Sequence, residues 1–468
     1  MPLLQNSTST KEIQPFATDN ATPLSAIRWW EAWYWGVLVG AIIVDLLYIR
    51  AFAVDAICMD EWAFIPYLQQ FNEGRLDYGH FLTWQHNEHK PFFPLIMLFC
   101  VARVTHYDVR ALQYAGLVII ALTGVGVLLL ARRRLLSLPL GVIYMSVVAA
   151  FMLDLRQWEN LINGFSGSTV AVSMFFVFSL YFLDAVRKFD WRIIVAILAA
   201  FCGTFSCANG LLVWPLGIFL LLCSRALSGI EVRRAMLAPL AVWLAASGAV
   251  VSFYFATYEG VRRDLTGNIA TLCSRGRLLE TMQTFFTALA NPLSFEPYGA
   301  VATGVAMFLL LVLVFQAVIR RQWKMTRDSI APLTLLLFGL LSTAMIFLGR
   351  SMDGPAALLT SRYAAITCFS VVGLFTFVAS LEGIDAGKKM AVLACLTYAM
   401  FVATLSTDLY GLAVGPNVRK TRLEAAEIVR NYRIESDRRL STIMPFPTAL
   451  RMYAPYLEQQ RYSVFGHR

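Results

Sequence analysis

The chain has 468 residues, of which 58% are hydrophobic and only 15% charged, and its mean hydropathy is +0.61. That balance excludes an ordinary soluble domain and reads as an all-α polytopic membrane protein. The formal charge of +9 does not imply a nucleic-acid partner: Lys and Arg sit in short clusters between apolar runs, the pattern of topology signals on cytoplasmic loops.

Residues 1–28 are rich in Ser, Thr, Asn and Pro and read as a cytoplasmic disordered tail with no cleavable signal, followed by an interfacial anchor at Trp29-Trp30. A first span at 33–53 carries the chain outward. The stretch Asp55 to Pro94 then gathers two adjacent carboxylates (Asp60, Glu61), a cluster of His86, Glu88, His89 and Lys90, and many aromatic residues. Ionisable groups at that density beside a span are costly unless they serve something.

The next apolar piece, 92–104, is short for a span, and if it crossed, Arg132-Arg133-Arg134 would land outside. Reading it as an interfacial or re-entrant helix extends the first periplasmic loop to 55–108 and returns those arginines to the cytoplasm. Spans at 109–131, 139–155, 166–186, 191–207, 210–224, 235–256, 300–319, 330–348, 363–380 and 390–411 follow, about 11 in all, with the N-terminus inside and the C-terminus outside. The transmembrane domain covers 29–411. Its outer loops are 55–108, 157–167, 206–210, a second large loop at 258–299 with Arg262, Arg263, Arg275 and Arg277, and 350–363. The tail 412–468 forms a small periplasmic cap with a helix over 421–440. Most of the eight cysteines lie in apolar segments, and Cys58 and Cys273 are the pair placed to meet outside.

Polar chemistry is therefore expected on one face. Asp60 and Glu61 open an amphipathic stretch, where acids either cap the helix or, at a membrane surface, supply a general base. His86 and His89 with Glu88 between them are a sparse metal set, so no cofactor or metal is expected. Lys90 with one histidine suits a phosphate or an acceptor. Arg350, Arg362 and Tyr363 stand on the side that the positive-inside bias disfavours, where a guanidinium fork can clamp the phosphate of a lipid carrier. Glu159, Asn160 and Asn209 offer groups for sugar hydroxyls or for helix caps. Asp45 and Asp154 are acids within or near spans, expected to pair with arginines.

The Asp-Glu pair in the first outer loop, the interfacial helix after Lys90-Pro91, the following span with its basic end, and the late Arg/Tyr loop resemble the GT-C glycosyltransferases that use polyprenyl-phosphate sugars. The layout looks closest to bacterial enzymes that decorate lipopolysaccharide O-antigen and other cell-envelope glycans. The resemblance implies a GT-C-like fold, Asp60 and Glu61 as the catalytic acids, lipid phosphate at Lys90, Arg350, Arg362 and Tyr363, and acceptor or sugar contacts at His86, Glu88, His89, Glu159, Asn160 and Asn209. It further implies a polyprenyl-phosphate-linked donor, a glycan or lipid acceptor, and a site on the periplasmic face of the bacterial inner membrane. A transporter or flippase of a lipid-linked glycan is the alternative; its key polar groups belong near the midplane.

Overall fold

The computed structural model describes residues 31–164, 167–260, 270–272 and 274–466. The tail 1–28, Arg262, Arg263 and Cys273 of the sequence reading lie outside them, as does the side chain of Arg275. Among the described residues the chain is helical, with two isolated bridges as its only extended pairing.

Helix α1 (Glu31–Phe52) leads through a 3₁₀ turn (Met59–Phe64) to α2 (Ile65–Asn72), α3 (Tyr78–Thr83), α4 (Phe92–Thr105) and α5 (Val109–Leu135). Next come α6 (Gly141–Met152), α7 (Trp158–Ile162), α8 (Gly167–Ala185), α9 (Trp191–Thr204), α10 (Val213–Ala226), α11 (Ile230–Ala235) and α12 (Leu237–Ala256). The last part holds α13 (Leu278–Ala290), α14 (Pro297–Ile319), α15 (Ile330–Arg350), α16 (Pro355–Leu358), α17 (Ala364–Ser380), α18 (Ala386–Arg430), α19 (Asp437–Leu440) and α20 (Pro447–Gln460). Local chemistry sets many of the ends. Asp108 caps α5 by accepting from the amide of Arg110, and Glu296 caps α14 through Tyr298 and Gly299, with Pro297 at the first helical position. Arg132, Arg133 and Arg134 close α5 where the helix dipole favours cations.

Among the described residues, eight helical stretches are long and apolar enough to cross a membrane. The expected crossings at 139–155, 166–186 and 191–207 fall on the shorter helices α6, α8 and α9, so the expected 11 are not reached by that criterion. Helix α4, with 14 residues, is also too short to span alone, as its apolar run implies. The close packing of the bundle uses small residues. A Cβ on Gly339 of α15 would lie 2.2 Å from the Ser370 nitrogen of α17, and one on Gly373 of α17 would lie 2.3 Å from the Leu336 nitrogen of α15. The two backbones touch through both glycines.

The bundle has two polar ends. At one, Arg134 pairs with Asp184 at 3.0 Å, Arg132 pairs with Glu31, and the Lys324 amide donates to the Glu382 carbonyl at 2.8 Å. These are the basic clusters assigned to the cytoplasm. The other end gathers the loops expected to carry chemistry, and it has a core of its own. Trp62, Phe64, Phe81 and Phe99 of the first loop pack in one apolar cluster with Val429, Leu440, Leu450 and Leu457 of the C-terminal segment. Backbone bonds tie the same two regions: Met59 N to Ile443 O at 2.8 Å, and Ser463 N to His106 O at 3.1 Å.

Two expectations on acids and helices change. The separate span 390–411 and helix 421–440 are one 45-residue helix, α18, which continues through Pro416. Gly415 just before that proline lies against Phe52, whose ring a Cβ would meet at 2.6 Å, so tertiary contact holds the helix where proline removes a backbone donor. Asp45 of α1 is fully buried and neither carboxylate oxygen has a hydrogen-bond partner among the described residues, so it does not pair with an arginine. Asp154 accepts from the Thr407 hydroxyl at 3.5 Å, while nearby Arg156 gives its protons to the carbonyls of Asn291 and Leu359 at 2.8 and 2.7 Å.

Candidate functional site

The turn that carries Asp60 splits the acidic pair. Cys58 is extended and Met59 adopts φ +53°, a left-handed conformation rare for a side chain of this size, pinned by its amide bond to Ile443. Glu61 folds back so that its Oε2 accepts from the Cys58 amide at 3.1 Å, and the Trp62 indole donates to the Ile57 carbonyl at 3.1 Å. Glu61 is 1% exposed, whereas the Asp60 side chain is 57% exposed. Glu61, expected to share the catalysis, is a cap that shapes the turn. Asp60 alone reaches the surface of the site.

Opposite Asp60, the segment 86–89 makes a tight turn. His86 N donates to His89 O at 2.8 Å, His89 N donates to His86 O at 3.0 Å, and Asn87 takes φ +51°, which asparagine tolerates. The His86 ring packs against Phe64 and Trp84, and its Nε2 lies 3.7 Å from Asp60 Oδ2. His89 turns the other way. Its Nδ1 accepts from the Ala208 amide at 3.2 Å, and its Nε2 lies 3.7 Å from Glu88 Oε1.

Lys90 is corrected most sharply. It is fully buried, and its ammonium donates to Tyr254 O, Thr257 O and Thr257 Oγ1 at 3.2, 2.7 and 2.5 Å. All three protons close the C-terminal end of α12, so none is left for a phosphate. Burial also pushes its pKa down, against a raising effect of Glu259.

The loop 350–363 supplies the cations. Arg350 stands 3.6 Å from Asp353 and Arg362 lies over the Tyr363 ring at 5.6 Å; both arginines are half-buried. The loop is held from behind. Glu159 Oε2 accepts from the Arg362 amide at 3.0 Å, Asn160 donates to the Arg362 carbonyl at 3.1 Å, and Asn291 donates to the carbonyls of Leu358 and Thr360 at 2.8 and 3.2 Å. Asn160, 1% exposed, is thus a staple for the arginine turn, and Glu159 shares that work. Asn209, 6% exposed, meets the Cys207 thiol at 3.5 Å and the Met345 sulfur, which places it behind the site.

Electrostatics join the pieces. The His86 imidazole 3.7 Å away, with Arg362 and Arg350 acting at longer range, holds the Asp60 carboxyl below the usual carboxylate range despite the opposing effect of partial burial. Arg350 also acts on His89. Asp60, His86, Arg350 and Arg362 therefore lie at one end of the bundle, with both arginines within electrostatic reach of Asp60. Among the described residues no group of three or more His, Cys, Asp or Glu side chains is arranged to hold a metal ion.

Sequence reasoning did not single out Asn291, Arg156 or Arg422. Asn291 and Arg156 sit at span ends beside apolar runs, and only the fold shows that they fix the 358–362 backbone. Arg422 lies on the outer part of α18, within electrostatic reach of Cys58, Glu61 and Glu159.

No family model matches the sequence, and no curated protein matches it. Among solved structures, the archaeal oligosaccharyltransferase AglB from Archaeoglobus fulgidus, in complex with an inhibitory peptide and a dolichol-phosphate, is similar at 14% identity and a TM-score of 0.43. The match covers 81% of this chain and 56% of that one, so the chain spans little more than half the length of that protein.

Proposed function

We propose that this chain is a GT-C-type membrane glycosyltransferase that moves a sugar from a polyprenyl-phosphate carrier to a cell-envelope glycan or lipid, O-antigen among the candidates. The observation that carries the reading is an exposed carboxylate, Asp60, within electrostatic reach of Arg350 and Arg362 at one end of the bundle. A base and a phosphate clamp are the two parts such a transfer needs from protein side chains.

An acceptor hydroxyl attacks the anomeric carbon of the lipid-linked sugar, and Asp60 takes the hydroxyl proton. The bond from the anomeric carbon to the phosphate oxygen breaks, and polyprenyl phosphate leaves with both electrons. Arg350 and Arg362 stabilise the negative charge that develops on the leaving phosphate, more strongly than in bulk water because apolar walls exclude part of the solvent. His86 keeps Asp60 ionised and oriented. One displacement with no covalent enzyme intermediate gives inversion at the anomeric carbon. Glu61 and Lys90 take no direct part. The site faces the periplasm of a bacterial inner membrane in this reading, with the N-terminus cytoplasmic, because the basic clusters gather at the opposite end.

The test is transfer by purified protein offered a panel of polyprenyl-phosphate sugars, with release of polyprenyl phosphate as the signal. Asp60→Asn is expected to insert and fold normally and to release none. A competing reading, transport of a lipid-linked glycan, has one observation in its favour: the unpaired carboxylate of Asp45 inside α1. Under that reading Asp45→Asn stops translocation, Asp60→Asn does not, and no polyprenyl phosphate is released.

A further inference from the structure

The loop between α15 and α17 has two unlike halves. Residues 351–357 are mostly exposed and carry local turn bonds, Gly354 N to Ser351 O at 3.4 Å and Ala357 N to Gly354 O at 3.2 Å. Residues 358–361 are mostly buried, and side chains from far along the chain bond the backbone there. Asn291 donates to the carbonyls of Leu358 and Thr360, Arg156 to that of Leu359, and Asn160 to that of Arg362. Three successive carbonyls are thus held from a distance, and the run leads directly into Arg362.

Asn291 is the centre of that frame. It follows the last residue of α13 and is 1% exposed. Its Oδ1 accepts from the Thr367 hydroxyl of α17 at 2.7 Å, and its own carbonyl accepts from Arg156 Nε at 2.8 Å. Two carbonyls on one side and a hydroxyl on the other leave one orientation for the amide. Helix α14 seats α13 from behind, since any side chain at Gly304 would meet the Phe286 carbonyl. Buried carbonyls need donors, and a frame closed on itself through Arg156 and Asn291 holds the backbone more firmly than separate bonds.

We propose that Asn291 is a positioning residue for donor binding: it fixes the 358–360 backbone that presents the Arg362 guanidinium to the phosphate of the lipid carrier. The proposal rests on the reading of Arg362 as a phosphate clamp. It gives the second large outer loop, which carries Asn291, a part in holding the donor. Arg350 stands on the locally folded half and does not depend on it.

The experiment measures binding of polyprenyl phosphate to the full-length protein in detergent. It compares Asn291→Ala made in the wild type, in Arg362→Ala and in Arg350→Ala. The substitution is expected to weaken binding about tenfold in the wild type and in Arg350→Ala, but less than about twofold in Arg362→Ala, because residues that act through one another are non-additive. Thr367→Val removes the donor that orients the Asn291 amide at nearly constant shape. It is expected to give the same pattern at about threefold, and it carries the test if Asn291→Ala fails to fold. An equal loss in all three backgrounds marks Asn291 as structural only and overturns the proposal, as does unchanged affinity in the wild-type background. Wild type that binds no polyprenyl phosphate overturns the proposal together with the clamp beneath it. Wild type that binds it but transfers no sugar overturns the transfer reading, and the three-background comparison then decides the proposal alone.

Discussion

At Asp60 the His86 imidazole 3.7 Å away and the fields of Arg362 and Arg350 all favour the ionised carboxylate. The folded-state pKa lies below the unfolded value near 3.9, so the stabilisation from these contacts is present above that value and is lost as pH falls through the lower folded one. Because the side chain is more than half exposed, solvent screens the contribution to stability, and the effect belongs to the pH–rate profile. The acid limb of kcat/KM is expected below the ordinary aspartate range. Replacing His86 with Gln, which removes the largest of the lowering effects, moves that limb upward; an unmoved limb contradicts the Asp60–His86 pairing. At Arg362, a lysine keeps the charge and loses the planar fork, so donor KM is expected to rise about tenfold, or ~1.4 kcal/mol, with little change in acceptor KM.

At the scale of elements, Lys90 and Asp45 make opposite predictions. Lys90 closes α12 through three bonds, so Lys90→Met takes the ammonium donor from the Thr257 carbonyl and one of two donors from the Tyr254 carbonyl, and is expected to destabilise the protein by about 1–3 kcal/mol. Donor KM of the remaining folded protein should stay unchanged; a specific rise would return Lys90 to the phosphate site. Asp45 is a carboxyl group buried in α1 without a hydrogen-bond partner among the described residues, and Asp45→Asn removes that titratable group. A higher melting temperature in detergent with transfer intact is the expected result, and lost transfer would favour the transport reading. Lys90 and Pro416 show where the sequence misleads. A lysine in a polar loop looks available for ligand, and only the approach of α12 shows that its protons are taken. Pro416 looks like a helix end, and only the fit of Phe52 against Gly415 shows why α18 continues.

For the whole molecule, the legible features were those set by the membrane itself. Basic clusters at one end, polar loops at the other and a short apolar α4 all follow from span length and charge bias, which a sequence displays directly. That Asp60, His86, Arg350 and Arg362 lie at the end of the bundle opposite the basic clusters was legible for the same reason. The sorting of Asp60 from Glu61 was not, because a 3₁₀ turn with one acid inward and one outward depends on the Cys58 amide and on the C-terminal segment packed behind it. Reporter fusions after Arg134 and after Ser441 are expected on opposite sides of the membrane, and the same side for both would break the two-ended architecture. The most direct measurement of the central claim is release of polyprenyl phosphate from a polyprenyl-phosphate sugar by purified wild-type and Asp60→Asn protein. The expected result is release and sugar transfer by the wild type and neither by the folded, membrane-inserted variant; release at the wild-type rate by Asp60→Asn would contradict it.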